Sequence, residues 1–306
     1  MKERSVIVTG AAGFVGRNAA EYFADNGWHV SGVGIGDWGK KNFNDWGIHE
    51  WVEAEVSVES LMDLGTIPDV IIHCAGSGSV SHSFSNPKED FEMNVSSLLQ
   101  VLEFMRLKCP NARLVFPSSA AVYGKKADAP IKEEDSLDPV SPYGYHKVIA
   151  EKLCESYSKL FDLNISIIRF FSIYGPGLRK QLLWDACEKI RNSSSKSEFF
   201  GTGRETRDWI YIKDAADLIC RMSESKNKFE IINGGSGKRV EIKELLEILA
   251  KQFGEGIRIT FNGQERGGDP EYYLADVSKA KELGWQPETY LEDGVKACVI
   301  FYKENR

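Results

Sequence analysis

The chain has 306 residues, which at about 150 residues per domain predicts two structural units. Apolar residues make up 42% and charged residues 27%, as in an ordinary soluble globular protein. With 45 acidic and 38 basic residues the net charge is −7, which excludes a global attraction to nucleic acid or an anionic membrane but leaves small anionic ligands open.

Membrane, secreted and metal-binding classes are also disfavoured. No run approaches the roughly 18 apolar residues of a transmembrane helix, and the N-terminus enters a strand-like run without a signal-peptide pattern. The cysteines form no C-x-x-C pair and have mostly apolar neighbours, so we expect buried free thiols in a reducing compartment, the cytoplasm: Cys74, Cys109, Cys154, Cys187, Cys220 and Cys298. The five histidines have no metal-ligand spacing.

Short β-branched runs alternate with helical patterns through the first half of the chain. This rhythm predicts an α/β fold, a Rossmann-type doubly wound parallel sheet with helices on both faces. The predicted strands are 5–9, 29–33, 69–74, 112–117 and 164–171, and the predicted helices are 18–25, 87–107 and 143–161.

The rhythm weakens after about residue 172, where loops become rich in glycine, proline and charge and short helices are predicted at 214–223, 242–252 and 277–283. We therefore predict a first domain of residues 1–171 with a return segment near 207–233. A smaller α/β lobe is predicted from residues 172–206 and 234–306.

The predicted helices 87–107 and 143–161 have more apolar surface than one core face needs. In the first of them the apolar residues cover well over about 100° of the helix: Val95, Leu98, Leu99, Val101, Leu102 and Met105. Either other elements cover this helix within the subunit, or it forms a subunit interface.

Three glycines, Gly10, Gly13 and Gly16, follow the first strand and open the first helix. Glycine allows a tight turn and a close approach of backbone to a pyrophosphate, and a helix N-terminus offers free N–H groups and a positive dipole end. A purely structural turn is the alternative. The strand before and the helix after favour a dinucleotide site.

The second strand ends without the usual acidic residue. The position that normally holds the ribose hydroxyls is Gly34; Asp37 follows three residues later, and Lys40 and Lys41 come next. Without an acid to repel it, a 2′-phosphate could pair with either lysine. This favours NADP(H) over NAD(H), with NAD(H) still open because Asp37 could fold back to the ribose.

Tyr143 and Lys147 are four residues apart and so share one face of a predicted helix. An ammonium near a phenol lowers its pKa from about 10, which would make Tyr143 an acid/base for a sugar hydroxyl. A surface pair is the alternative. Ser119, at the carboxyl end of a predicted strand, could bind the same substrate oxygen, whereas the neighbouring Ser118 fits a loop cap.

The ordered set of motifs resembles the extended short-chain dehydrogenase/reductase family, and within it the NAD(P)-dependent nucleotide-sugar epimerases, dehydratases and 4-ketoreductases. The set comprises G-x-x-G-x-x-G, H-C-A-G at 73–76, S-S-A-x-V-Y-G, Y-x-x-x-K, R-F-F-S-I-Y-G-P, G-x-G-x-x-x-R-D-W and R-x-G-D-P. The resemblance spans about residues 6–294.

The resemblance implies roles for individual residues. Tyr143 would be the acid/base, Lys147 its ribose-binding partner, Ser119 would polarise the substrate oxygen, and Asn94 would hold a relay water. The implied cofactor contacts are Gly10, Gly13, Phe14, Val15, Gly16, Gly34, Asp37, Lys40, Glu55, Val56, Cys74, Ala75, Gly76, Ser118, Tyr143, Lys147 and Phe170. The implied substrate contacts are Ser79, Ser119, Ala120, Ser172, Arg207, Arg266 and Asp269, the two arginines clamping the diphosphate.

The chain also departs from the family pattern. Ser119-Ala120-Ala121 stands where 4,6-dehydratases have Thr-Asp-Glu, which excludes elimination of water because no acid and base are available there. Ser172 replaces a frequent Asn, which puts one phosphate contact in doubt. His146, inside the Tyr-Lys motif, receives no role. The resemblance implies a homodimer through helices 87–107 and 143–161.

The expected function is hydride transfer at C4 of a nucleotide-diphosphate sugar, with Tyr143 moving the proton. We favour reduction of a nucleotide-linked 4-keto-6-deoxy-sugar, because an epimerase retains its cofactor and usually keeps the ribose acid that Gly34 lacks. The alternative is a nucleotide-sugar 4-epimerase with retained NAD, similar to UDP-glucose 4-epimerase. A third alternative, a non-catalytic dinucleotide-sensing scaffold, fits poorly with an intact Ser-Tyr-Lys set.

Overall fold

The computed structural model describes residues 4–39, 41–193, 196–254, 256–264 and 272–305. The chain divides into two compact units. The first comprises Met1–Gly124, Ser136–Phe170 and Ala216–Ile232, and the second comprises Lys125–Asp135, Phe171–Ala215 and Asn233–Arg306.

The strands are, in chain order, β1 (Ser5–Thr9), β2 (His29–Gly34), β3 (Glu50–Glu53), β4 (Val70–His73), β5 (Arg113–Ser119), β6 (Asn164–Phe170), β7 (Ser172–Tyr174), β8 (Lys196–Phe199), β9 (Thr206–Arg207), β10 (Trp209–Tyr211), β11 (Phe229–Gly234), β12 (Val240–Glu241) and β13 (Arg258–Phe261).

The helices are α1 (Phe14–Asp25), α2 (Val58–Asp63), α3 (Val80–Ser85), α4 (Pro87–Phe91), α5 (Ser97–Lys108), α6 (Pro142–Phe161), α7 (Gln181–Arg191), α8 (Ile212–Ser223), α9 (Ile242–Lys251), α10 (Ser278–Glu282) and α11 (Leu291–Glu304). A π-helical turn, Glu92–Ser96, joins α4 to α5, and 3-10 turns lie at Phe43–Trp46 and Ala120–Tyr123.

The first unit is built on a seven-stranded sheet in the order β11-β6-β5-β4-β1-β2-β3. The strand pairs from β6 to β3 run parallel, so their carboxyl ends meet at one edge. Its central strands are continuous apolar runs because helices cover both faces. The Rossmann-type α/β fold expected from the sequence is confirmed.

Each unit has its own core. In the first, residues of α5 and α6 pack on β4, β5 and β6, with Leu102, Phe104 and Cys154 among the buried side chains. In the second, α7, α9 and α11 pack together around residues such as Leu249 and Tyr302, beside the small pairs β7–β10, β9–β12 and β8–β13.

The structure differs from the predicted elements at several points. α1 begins at Phe14, four residues earlier than predicted. Its cap is Gly13, which has no side chain that would mark the start of the helix in the sequence. The predicted helix 87–107 contains the π turn, and α7 and α11 were not predicted.

Two segments lie outside the predicted domain boundaries because of their pairing. Residues 125–135 belong to the second unit, where Ile131 bridges to Ala275. Residues 207–215 belong there as well, through β9 and β10.

Other expectations from composition can be compared with the described part of the chain. All six cysteines are free; Cys109, Cys154 and Cys187 are buried as expected, whereas the other three are only half-buried. None of the described helices is long and apolar enough to cross a membrane.

Candidate active site

The glycine loop after β1 leaves no room for side chains. Gly10 has φ +63°, and its N–H donates to the Val33 carbonyl at 2.7 Å. A Cβ at Gly10 would lie 2.6 Å from the backbone nitrogen of Ala75, and one at Gly16 would overlap the Gly10 carbonyl. Only glycine therefore allows the carboxyl ends of β1 and β4 to approach so closely.

The N-terminus of α1 offers bare backbone N–H groups. Its cap is Gly13, no side chain caps it, and its first turn, which begins with Phe14 and Val15, has no acidic residue. A positive dipole end with free N–H groups beside a glycine cradle fits the pyrophosphate of a dinucleotide. These residues fit NAD or NADP, and the free N–H groups of the first turn would hold the phosphates.

The adenosine end of this cradle is formed at β2 and β3. Gly34 ends β2, and a Cβ there would lie 3.1 Å from Gly10 Cα, so packing against the glycine loop accounts for this glycine. Asp37 is exposed, and its carboxylate accepts the Gly39 N–H at 2.7 Å. Glu55 is exposed and Val56 half-buried in the turn after β3.

Two cations at this end are already engaged. The Lys41 ammonium lies 4.3 Å from the centre of the Trp46 ring, and the Arg17 guanidinium lies 5.3 Å from the same ring. Arg17 also donates to the carbonyls of Ala12 and Gly13. Lys40, the other candidate for a 2′-phosphate, lies outside the described residues.

The loop after β4 is held by a buried histidine that the sequence analysis left without a role. His73 Nδ1 lies 2.8 Å from Thr9 Oγ1, which accepts the Ala75 N–H at 3.3 Å. Burial lowers the pKa of His73 to about 3, so its ring is neutral. Cys74 is half-buried, and Gly76 continues the loop on the exposed side. The predicted residues 74–76 therefore lie beside the glycine cradle.

Tyr143 lies in the first turn of α6. Ser141 caps this helix by accepting the Gly144 N–H at 3.1 Å, and the buried Ser83 accepts the Tyr143 N–H at 3.1 Å. The Ser119 hydroxyl lies close enough to the phenol to oppose the rise of its pKa. Two of the four predicted catalytic side chains, Ser119 and Tyr143, are therefore neighbours.

The pKa of Tyr143 differs from the expectation. Burial raises it to about 12; Asp90 adds to the rise, and Ser119 opposes it. The lowered pKa expected from the sequence is therefore wrong, because loss of water around the phenolate outweighs any stabilisation by the neighbouring ammonium.

Lys147 is buried one helical turn after Tyr143. Its ammonium lies 5.9 Å from the centre of the Tyr143 ring and 4.7 Å from that of Phe116, and it donates to the Pro117 carbonyl at 3.3 Å. Burial lowers its pKa to about 8, while Cys74 and Asp90 oppose the shift. The alternative of a solvated surface pair is excluded because both side chains are buried.

A buried ion pair behind this helix was not predicted. Glu151 accepts three hydrogen bonds from the Arg169 guanidinium, the shortest at 2.7 Å, and one from the Ser118 hydroxyl at 2.6 Å. Arg169 also donates to the Tyr123 hydroxyl at 3.1 Å. Ser118 is therefore not a loop cap, and its hydroxyl joins β5 to α6.

Asn94 lies in the π turn and is 1% exposed. Its amide donates to the Asp90 carbonyl at 3.0 Å, and its Oδ1 has no partner among the described residues. A Cβ built on Gly76 would lie 2.8 Å from that oxygen, so Asn94 points towards the loop after β4. A buried acceptor aimed at this loop suits the predicted relay water.

His146 is neither solvent-exposed nor without a partner. Its Nδ1 lies 2.6 Å from Asp90 Oδ2, and its side chain is 13% exposed. The ring of Phe91 packs edge-on against it at 5.4 Å between centroids.

The other predicted contacts of the first unit line its sheet edge. Ala120 and Phe170 are buried, Ala120 in the 3-10 turn after β5 and Phe170 at the end of β6 beside Ser119. Ser79 caps α3 by accepting the His82 N–H at 3.2 Å, so its hydroxyl has a structural partner.

In the second unit, Ser172 opens β7 and its N–H donates to the Asp208 carbonyl at 3.0 Å. Arg207 is half-buried; it donates to the Thr206 carbonyl at 3.0 Å and lowers the pKa of Tyr273 against the effect of burial. Arg266 and Asp269 lie outside the described residues.

Asp208 was not predicted as a site residue, although it belongs to the R-D-W motif. It is fully buried and accepts the N–H groups of Ser236, Gly237 and Ala275. It thereby fixes the segment next to Arg207. Among the described residues no cluster of His, Cys, Asp or Glu could hold a metal ion.

Comparisons with known proteins agree with this geometry. Residues 6–235 match the model of the NAD-dependent epimerase/dehydratase family. The UDP-glucuronate 4-epimerase of Thermodesulfobacterium geofontis is 31% identical over 98% of this chain and 96% of its own length.

Two solved structures are similar over nearly the whole chain. The UDP-N-acetylglucosamine 4-epimerase of Methanobrevibacter ruminantium M1, in complex with UDP-N-acetylmuramic acid, has TM-score 0.89 and 25% identity over 100% of both chains. The UDP-glucuronic acid 4-epimerase of Bacillus cereus, in complex with UDP-glucuronic acid and NAD, has TM-score 0.86 and 26% identity, covering 99% of this chain and all of its own. Because the family model covers well over half of the sequence, this chain belongs to the NAD-dependent epimerase/dehydratase family.

Proposed function

We propose that the protein is a UDP-sugar 4-epimerase that retains NAD. The observation that carries the proposal is the single acid/base centre, in which the buried Tyr143 phenol, with Ser119 close by, lies beside the buried ammonium of Lys147, 5.9 Å from the ring centre. Inversion at C4 needs one group to take and return one proton. The buried Ala120 next to Ser119 offers no second acid, which agrees with the exclusion of a dehydratase.

The sequence-based preference for a 4-keto-6-deoxy-sugar reductase rested on Gly34. Packing accounts for that glycine, because a Cβ there would crowd Gly10. The relatives described above are 4-epimerases, which supports the alternative that the sequence analysis left open.

The proposed cofactor is NAD. The similar B. cereus enzyme was solved with NAD, and no relative described here supports a preference for NADP. In this chain the Lys41 ammonium is stacked on Trp46, and Arg17 is bonded to the glycine loop, so both already have partners where a 2′-phosphate would bind.

In the proposed reaction the residues of this chain would have separate roles. The glycine loop and the N-terminus of α1 would bind the pyrophosphate of NAD, whose nicotinamide would supply the hydride acceptor and donor for C4. Ser119 orients the C4 oxygen by hydrogen bonding. Tyr143 takes the proton of the C4 hydroxyl and returns it after the keto sugar has exposed its other face, and the Lys147 ammonium favours the phenolate that this requires.

The test uses purified protein with UDP-glucose, UDP-glucuronate and UDP-N-acetylglucosamine separately, without added cofactor. We expect one of them to yield its C4 epimer by chromatography, and we expect mass spectrometry of the denatured protein to release NAD. Consumption of NADPH with a nucleotide-linked 4-keto-6-deoxy-sugar, together with no epimer from any UDP-sugar, would restore the reductase.

Tyr143→Phe should lower turnover at least about 10²-fold, the usual contribution of a general acid/base, while the released NAD stays unchanged. Tyr145→Phe is the matched control, because Tyr145 lies in the same motif and is 55% exposed. If both variants turn over equally, Tyr143 is not the acid/base.

A further inference from the structure

A buried carboxylate–imidazole pair lies beside the acid/base centre and has no part in the chemistry described so far. Asp90, on α4, has no solvent exposure, and its Oδ2 lies 2.6 Å from Nδ1 of His146 on α6. His146 directly precedes Lys147 in the chain and follows Tyr143 by three residues. The pair therefore joins α4 to α6 within one helical turn of both Tyr143 and Lys147.

The Asp90 carboxylate is only partly hydrogen-bonded. One carboxylate oxygen faces His146, and the other has no partner among the described residues. The Asp90 backbone carbonyl accepts from Asn94, and Phe91 packs edge-on against the imidazole. A carboxylate kept dry in this way acts over a longer range than one in water, because little solvent screens it.

The exposed charged groups near the Asp90–His146 pair are engaged with each other. On the elements in contact with the pair, the exposed groups are paired with each other: His82 with Glu89 at 3.4 Å, and Lys88 with Glu92 at 3.6 Å. On α6 the ionisable groups within about one and a half turns of His146 are Tyr143, Tyr145, Lys147 and Glu151, and Lys152, Glu155 and Lys159 further along are paired with each other. The Cys74 and Cys154 thiols also face Lys147.

We propose that Asp90 and His146 are positioning residues for the reaction: His146 fastens the first turn of α6 to α4, and the buried Asp90 carboxylate sets the charge around Tyr143 and Lys147. Asp90 raises the pKa of both groups, which keeps Lys147 charged and Tyr143 protonated to higher pH. The inference rests on the proposed function only for its turnover measurement.

Asp90→Asn removes the charge but keeps the shape. We expect the bend of the kcat/KM profile that reports the pKa of Lys147 to move to lower pH by about half a unit or more, as for loss of a poorly screened neighbouring charge. Glu92→Gln is the matched control, since it removes an exposed charge two residues further along, at the start of the π turn, and should leave the profile in place.

Variants of His146 test the positioning role separately from the charge of Asp90. His146→Gln keeps an N–H donor opposite Asp90 and should retain most of kcat, whereas His146→Leu leaves the carboxylate unpaired and should lower kcat at least about tenfold with KM within twofold. Thermal unfolding and NAD content identify any variant that fails to fold. Equal kcat in the two folded variants would overturn the positioning role.

A second readout does not depend on the substrate. In spectra of protein labelled with ¹³Cζ-tyrosine, the signal of Tyr143, assigned through Tyr143→Phe, should begin to titrate at lower pH in Asp90→Asn than in the wild type and in Glu92→Gln. An unchanged titration would overturn the charge effect. If no UDP-sugar is converted but this shift appears, the proposed function fails while the inference stands.

Discussion

Burial acts in opposite directions on the two ionisable residues of the site. It lowers the pKa of Lys147 to about 8 and raises that of Tyr143 to about 12, because dry surroundings disfavour whichever form carries charge. At neutral pH the lysine is therefore charged and the phenol holds its proton. Near pH 8 Lys147 begins to lose its proton, while Tyr143 is still protonated.

This difference predicts a pH profile that levels off. The phenolate of Tyr143 becomes more abundant as the pH rises towards 12, whereas Lys147 is charged below its pKa and neutral above it, so kcat/KM should rise with pH up to about 8 and then stay level. Lys147→Arg keeps its charge throughout and should continue to rise above pH 8, whatever its absolute rate. Lys152→Arg, at an exposed position of the same helix, is the control. Initial rates from pH 6 to 10 measure the effect, and the same levelling in Lys147→Arg would assign it to another group.

At the scale of elements, the Glu151–Arg169 pair connects α6 to β6. Both side chains are 4% exposed, and Glu151 also accepts from Ser118 on β5. The helix that contains Tyr143 and Lys147 is thereby bonded to the two strands behind it. Removing one partner would leave the other as an uncompensated buried charge.

We expect Glu151→Ala to lower the free energy of unfolding by about 3–5 kcal/mol, the usual result of breaking a buried pair. The double variant Glu151→Leu with Arg169→Met should lose less, because no charge is then left buried. Lys152→Ala, which breaks an exposed pair with Glu155, should cost about 1 kcal/mol or less. Urea unfolding measures all three; a double variant less stable than Glu151→Ala would contradict this account.

The sequence sufficed for features that are local in the chain. The glycine loop and the Tyr-x-x-x-Lys pair have their meaning within a few residues, and the alternating runs identified the sheet. Asp90 and His146 are separated by 56 residues, and Glu151 and Arg169 by 18, so their pairing follows from packing that no local pattern records. The sign of the Tyr143 pKa shift was missed for the same reason, because it depends on burial.

At the scale of the molecule, the exposed apolar side chains of the first unit point to self-association. On α4, α5, α6 and the π turn between α4 and α5, several large apolar residues are 36–55% exposed: Phe91, Met93, Leu99, Tyr145 and Ile149. The same helices bury their other faces within the unit, as the first alternative from the sequence expected. We propose a homodimer through α4–α6.

Light scattering after gel filtration should give twice the mass of one chain. Leu99→Glu with Ile149→Glu should give a monomer, because charges would then be buried in the interface. Ile300→Glu, on α11 and 47% exposed, is the control and should remain dimeric. A wild-type mass of one chain at micromolar concentration would refute the dimer.

The π turn between α4 and α5 holds one residue more than an α turn. Because the extra residue is taken up within one wider turn, Asp90 and α5 keep nearly the register that a regular helix would give them. A residue inserted or deleted within α4 or α5 themselves has no such turn to take it up, and it would rotate one segment against the other by about 100°. Asp90 could then no longer face His146 while α5 kept its place in the core. Such a change of length would act on the acid/base centre without replacing any residue that touches the substrate.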